Sequence, residues 1–387
     1  MGKHIGVLAF PFTSHPPTLL GLVRRLASAA PDAKFSFFST ANSNSFLFSA
    51  QSPGGVLGNL KSYDVADGVP VGHVLSGNPA EADMAEEMGV PWVPFWIAGL
   101  SALCVHLHTD AIRQTMGVRG HEDQTLNFIP GLSAMTFQDL PGEIVSGNLD
   151  SPPSLMLHKM GLTLPRATAI VANSFEELDP VVATHLKSKL PKLLCVAPSA
   201  LTSSPDELNS DVNGCLSWLD KQKAKSVAYI SFGSMLAPSP DEHVALAETL
   251  QATGVAFLWS IKDNSKKNFA RRISREDERE WKSSSMGSPD PSLSTPFSWS
   301  AHHTWRLELS DGEHCRRGAH DLQAIFFANN TLNSRAIEDV WGIGVGLPGG
   351  VLTKKWIKGS PRTSFGAARE DDDRKNWCPQ KALDKGH

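Results

Sequence analysis

The chain has 387 residues, 36 basic and 40 acidic side chains, a formal charge of −4 and an apolar fraction of 41%. This length allows two or three domains with a large buried core, and the apolar fraction is that of a globular protein, not a disordered one. The near-balanced charge leaves no electrostatic footprint for nucleic acid or anionic lipid. Cys104, Cys195, Cys215, Cys315 and Cys378 are odd in number, scattered and never in C-x-x-C spacing. They indicate neither a disulfide framework nor a zinc ribbon and fit a reducing, cytoplasmic setting. The N-terminal apolar run is too short for a signal peptide, and no stretch reaches the length of a membrane span.

Ile5 to Phe10 is a short apolar run ended by Pro11, the pattern of a buried parallel strand feeding a loop. Leu19, Leu20, Val23, Leu26 and Ala27 then recur with helical spacing, with Arg24 and Arg25 on the outer face, and Lys34 to Ser39 is a second strand. Such a β-α-β opening predicts an α/β domain with a parallel sheet. Further strands are predicted at Ala167–Ala172 and Leu193–Ala197, and the Ser, Pro, Asp and Asn of Thr202–Asn213 have linker composition. A second α/β unit follows. Its first strand, Ser226–Ser231, runs into Phe232-Gly233-Ser234. Ser239-Pro-Asp-Glu242 caps a helix through Leu250, and Val255–Ser260 is the next strand.

From about residue 264 the character changes. Residues 265–325 hold 11 serines, ten Lys/Arg and nine Asp/Glu, and from Ile261 to Asp339 there is neither valine nor tyrosine. This stretch reads as lacking sustained strand alternation and helical stripe. Leu332, Ala336, Ile337, Val340 and Trp341 restore a helical face, Gly342–Gly346 and Gly349–Leu352 read as turn and strand, and the chain beyond Pro361 is polar and patternless.

Seven stretches together resemble plant UDP-dependent glycosyltransferases, most of all the flavonoid or anthocyanidin 3-O-glucosyltransferases. They are Ala9–His15, Phe35–Thr40, Lys61–Pro70, Asn127–Gly131, Asn173–Leu178, Tyr229–Ser234 and Leu332–Val340, and the likeness covers roughly residues 1–263 and 331–360. It implies a GT-B fold, with two Rossmann-like domains facing across a cleft and an incomplete C-terminal domain. The N-terminal acceptor domain would span residues 1–201, with a gap near 79–80. Residues 202–213 would be the linker, 214–360 the UDP-sugar domain, disrupted at 265–329, and 361–387 a tail. The implied chemistry is an inverting hexosyl transfer from UDP-glucose or a related UDP-sugar to the 3-hydroxyl of a flavonoid or anthocyanidin. The UDP-sugar is a co-substrate, no metal or other cofactor is expected, and a monomer is expected.

The resemblance assigns roles residue by residue. His15 matches the family's general base, a task that suits a neutral imidazole. Ser231, Gly233 and Ser234 sit at a strand-to-loop turn, where backbone N–H groups and hydroxyls suit a diphosphate. Phe10, Phe12 and His106 align with the acceptor-lining region. Without the family, a lone loop histidine reads as solvated or capping, Ser-Phe-Gly-Ser as an ordinary turn, and the aromatics as core or rim.

Two departures touch the chemistry. The chain runs Val74-Leu-Ser-Gly-Asn-Pro-Ala-Glu-Ala-Asp83, joining pieces that the family separates by several tens of residues. The missing stretch carries the aspartate that orients the histidine, and its strand. Asp83 matches a different aspartate and is not given that role. The family's donor box (W-A-P-Q, H-C-G-W-N-S, a glutamate, D-Q) is also absent. Read one frame over, W-A-P-Q gives Met286-Gly-Ser-Pro, G-W-N-S gives Arg306-Leu-Glu-Leu, and M-I-C-R-P-F gives His320-Asp-Leu-Gln-Ala-Ile325, although Trp305 does not follow from a cysteine codon. Residues 265–329 are therefore expected to be a shifted-frame reading of the donor box. Asn329 and Asn330 stand where D-Q would hold sugar hydroxyls, without the carboxylate acceptor.

That reading also accounts for most of His302, His303, His314, Cys315 and His320, which match no standard metal spacing, while Glu276–Glu280 is a solvated charge run. A nicotinamide oxidoreductase is excluded because no G-x-G-x-x-G follows either leading strand. The reading from another class is a non-catalytic flavonoid-binding pseudoenzyme.

Overall fold

The computed structural model describes residues 2–10, 15–48, 57–66, 81–117, 123–145, 148–196, 215–219, 221–222, 227–231, 256–261, 281–285, 304–310, 320–324, 330–340 and 344–346. The proposed linker, the capping box at Ser239, Trp341, Gly349–Leu352 and the tail lie outside them.

The opening is the expected unit. β1 (His4–Leu8), α1 (His15–Ala29) and β2 (Lys34–Ser39) are followed by α2 (Ala41–Leu47) and β3 (Leu60–Asp64). The three strands form one parallel sheet in the order β1-β2-β3. Pro16 at the start of α1 has no amide hydrogen to leave unsatisfied. Leu20, Val23 and Ala27 are buried against Phe35 and Phe37 of β2 in one core. Leu26 is 48% exposed, so the apolar stripe is narrower than the sequence spacing suggests. Asn59 fastens the end of α1 to the sheet by donating its amide to the carbonyls of Ala27, Ala30 and Ala33.

A second parallel sheet, ordered β4-β5-β6, is made by β4 (Phe95–Trp96), β5 (Ile170–Asn173) and β6 (Leu193–Val196). Around it lie α3 (Glu81–Glu87), α4 (Leu100–Leu107), α5 (Thr109–Met116), α6 (Gly142–Val145), α7 (Pro152–Thr163) and α8 (Pro180–Lys189). β5 starts at Ile170, not Ala167, because a short 3-10 turn, Leu164–Arg166, is closed by the Ala167 amide on the Leu164 carbonyl. This half holds the larger core, with Leu100, Leu103, Ile112, Leu126, Ile144 and Leu186 all fully buried.

After α9 (Cys215–Leu219), a six-stranded sheet contains β7 (Val227–Ser231), β8 (Ala256–Ile261), β9 (Trp281–Ser285), β10 (Thr304–Ser310), β11 (His320–Ala324) and β12 (Gly344–Gly346). Its order is β12-β11-β10-β7-β8-β9. β7, β8 and β9 are parallel, as two Rossmann-like units require, but β10 runs antiparallel to both β7 and β11. Strands within 265–325 correct the expectation that this stretch lacks strand character. Main-chain pairing to β7 and β8 organises it, and Trp305, Leu307 and Leu309 do alternate in sequence with Arg306, Glu308 and Ser310.

α10 (Asn330–Arg335) continues into a π-helical turn, Ala336–Val340. Leu332 and Ala336 bear out the predicted helical face, being buried in the same core as Leu100 and Ile112. That face stops early, since Val340 is 39% exposed. Among the described residues no helix is long and apolar enough to cross a membrane.

Candidate active site

His15 is the first residue of α1, half-buried, at the point where the chain re-enters regular structure beyond the carboxyl end of β1. In open parallel sheets ligands are met at the carboxyl ends of strands, so this is a natural place for a catalytic side chain. The Phe10 ring lies 5.7 Å from the His15 ring, centre to centre, tilted by 55°. Ala9, just past β1, donates its amide to the Phe38 carbonyl at 3.0 Å. Among the described residues, Phe10 and His15 are thus predicted site residues seen side by side.

His106 belongs to the other parallel sheet's helices. It sits in α4, is 2% exposed, and meets the Trp96 ring edge-on with centroids 5.3 Å apart. Trp96 is itself fixed by its indole N–H on the Gly99 carbonyl at 3.2 Å. From behind, α7 presses on the same residue: a Cβ built on Gly161 would stand 2.0 Å from the His106 carbonyl oxygen. Its bland reading as a core residue is the environment observed.

Ser231 ends β7, in register with Ser260 of β8 and Arg306 of β10, again at a carboxyl strand end. Asn330 opens α10. Phe12, Gly233, Ser234 and Asn329 lie outside the described residues, as do His302, His303, His314 and Cys315, while His320 begins β11. Asp83, which sequence reasoning declined as the orienting aspartate, forms a surface ion pair with Arg166 at 2.8 Å, and Glu86 shares that guanidinium.

Sequence reasoning missed one constellation. Cys104 and His108, one helical turn apart at the end of α4, meet His185 of α8 with their ligand atoms all within 4.8 Å of one another. Burial pushes the Cys104 thiol up to about 12. Burial first, then the charges of His108 and Lys189, lowers His185, so its imidazole stays neutral near pH 7. The Cys-x-x-x-His spacing was visible in sequence, but the third partner lies 77 residues further on.

Parallel sheets flanked by helices, with a histidine beyond the first strand, fit the α/β architecture of the GT-B fold. No protein-family model matches the chain. It is 42% identical to the flavonol 3-O-glucosyltransferase F3GT2 of Actinidia chinensis over 431 aligned positions, covering 98% of this chain and 92% of that one. It is 41% identical to the anthocyanidin 3-O-glucosyltransferase UFGT of Vitis vinifera, covering 92% and 86%. Among solved structures, it matches a UDP-glucose:anthocyanidin 3-O-glucosyltransferase in complex with UDP at a TM-score of 0.74 and 29% identity, over 92% of this chain and 88% of that one. UGT71G1 of Medicago truncatula, solved with UDP-glucose, matches at 0.61 and 18% identity over 90% and 85%, a likeness of fold. The chain belongs to the plant flavonol and anthocyanidin 3-O-glycosyltransferases.

Proposed function

We propose that this chain derives from hexosyltransferases that carry a sugar, glucose in the first instance, from its UDP ester to the 3-hydroxyl of a flavonoid or anthocyanidin, and that it transfers weakly or not at all. The observation that carries the first half is the placement of His15 beside Phe10, beyond β1, in a chain 42% identical to a flavonol glucosyltransferase. His15 takes the proton of the acceptor hydroxyl as its oxygen attacks the anomeric carbon, and UDP leaves with the bonding pair. Phe10 and Phe12 would border the flat acceptor, with His106 set back in the core against Trp96. Ser231, Gly233 and Ser234 would meet the diphosphate through hydroxyls and backbone N–H groups, and Asn329 and Asn330 the sugar. The diphosphate charge would thus be met without a metal ion.

Three observations support the second half. The alignment of 431 positions exceeds the chain's 387 residues by 44, so at least that many positions of the relative have no counterpart here. A gap near Pro79 would remove the orienting aspartate and its strand, which accords with two separate three-stranded sheets. A shifted frame over 265–329 would remove the donor box, which accords with the antiparallel course of β10 beside β7. Losing the carboxylate that orients a catalytic histidine costs roughly 10⁴ in rate where it has been measured.

The purified chain, given UDP-glucose and a flavonol, is expected to turn over at least about a thousandfold more slowly than an intact relative, and His15→Ala is expected to abolish what remains. Turnover near the relative's sinks the weak-activity reading. Because the acceptor side retains a buried core while the box strings are absent, a second reading is a flavonoid-binding protein without transfer. Titration separates the two, since a pure binder takes up flavonoid and shows no affinity for UDP.

A further inference from the structure

The cluster at the α4–α8 contact carries a proposal independent of the transfer reaction. Cys104 and His108 stand at i and i+4, so they share one face of α4, while His106, between them, points to the other side. His108 brings its Nδ1 to 2.9 Å from the Cys104 carbonyl oxygen, which fixes the tautomer: Nδ1 carries the hydrogen and donates it, leaving the Nε2 lone pair free of its own proton. A backbone carbonyl taking the far ring N–H is the usual partner arrangement of a metal-binding histidine. That Nε2 lies 3.1 Å from Nε2 of His185, with the two rings 5.0 Å apart centre to centre. Without an ion, His185 donates its Nε2 hydrogen across that gap. With the other tautomer of His185, both lone pairs converge on one point.

We propose that Cys104, His108 and His185 bind a divalent transition-metal ion of the zinc type, clipping the last turn of α4 to α8, with water as fourth ligand. The geometry is near what such a site needs. Zinc bonds of 2.0–2.1 Å to nitrogen and 2.3 Å to sulfur in a tetrahedron set N···N edges of about 3.3 Å and S···N edges of about 3.6 Å. The observed Nε2···Nε2 separation is 3.1 Å, while the Cys104 sulfur lies 3.8 Å from Nδ1 of His108, the protonated nitrogen and not the ligating one. All three ligand atoms fall within 4.8 Å of one another, so closing the site brings the sulfur toward the pair of Nε2 atoms. One thiolate and two imidazoles suit zinc, cobalt and copper and are poor ligands for magnesium or calcium. Cys104 is fully buried and the two histidines half-buried, so the open coordination position faces the solvent side. The thiol proton is displaced on binding and passes to solvent. An ion here would stiffen the helix that carries His106.

The test uses the full chain after chelator treatment, titrated with Co²⁺ as a spectroscopic stand-in for zinc. The expected result is a thiolate-to-cobalt charge-transfer band that saturates at one equivalent and is bleached by Zn²⁺. Cys104→Ser should remove the band, His185→Asn should weaken cobalt binding at least tenfold, and Cys195→Ser should change neither. Circular dichroism of each variant checks folding, and if Cys104→Ser does not fold, the half-buried His185→Asn decides alone. No band in the intact chain, a band that survives Cys104→Ser, or unchanged affinity in His185→Asn each overturns the site.

Discussion

Asp139 ties the far end of the chain to the larger core. Its carboxylate, 8% exposed, accepts from the Thr136 amide at 2.8 Å and the Thr136 hydroxyl at 2.7 Å, closing a capping box on a 3-10 turn. Arg335 of α10 donates Nε to the same oxygen at 3.1 Å and Nη1 to Asp339 at 2.7 Å. The two carboxylates, Asp339 foremost, hold the Arg335 guanidinium above its ordinary range. Removing Arg335 takes a cation away from a nearly buried carboxylate, which costs about 2 kcal/mol. Removing Asp339, 45% exposed and one helical turn away, costs about 0.5 kcal/mol or less. Denaturant titration of Arg335→Ala and Asp339→Ala is therefore expected to rank them in that order, and equal losses would mean that Asp139 does not need the cation. Arg335→Lys should fall between, since an ammonium cannot fork to both carboxylates in one plane.

At the scale of elements, α4 is held from one side by α7, and Gly161 sets the approach. A methyl group there would meet the His106 carbonyl oxygen at 2.0 Å, and backbone cannot swing aside as a side chain can. Gly161→Ala should cost about 3 kcal/mol through forced separation of the helices, although the same change in an isolated helix is favourable. A midpoint unchanged in a denaturant melt would show that the two helices part freely. This position also shows where sequence reading stops. β2 was legible to the residue, Lys34–Ser39, because local apolar runs and turn residues write it, and α1 was legible from its period. Gly161 reads only as a weak point in a helix, because the carbonyl it accommodates comes from 55 residues earlier. His15 could be singled out through the Ala9–His15 likeness and not through its spacing. His185 could not, because what joins it to Cys104 and His108 is the packing of α8 on α4. β10 was missed for a different reason: seven residues of period-two alternation were outweighed by the serine-rich and charged composition around them.

For the molecule as a whole, the division of β1–β6 into two three-stranded parallel sheets has a physical consequence. The first strand of a doubly wound domain is normally interior, with neighbours on both edges and cover on both faces, whereas β1 is the outermost strand of its sheet among the described residues. Its side chains keep the composition of an interior strand, yet Ile5 is 40% exposed and Leu8 48%. An apolar outer strand presents unpaired N–H and C=O groups along a sticky edge, which templates pairing with another chain, and a lysine there opposes it by charge and hydration. The chain should therefore self-associate with rising concentration, and Ile5→Lys should suppress that at least twofold by light scattering without lowering the melting temperature by more than about 2 °C. Val181→Lys, which adds the same charge at a 57% exposed site on α8, controls for net charge. If Val181→Lys suppresses association as strongly as Ile5→Lys, repulsion between whole molecules is the cause. If only Ile5→Lys does so, the β1 edge is what joins them.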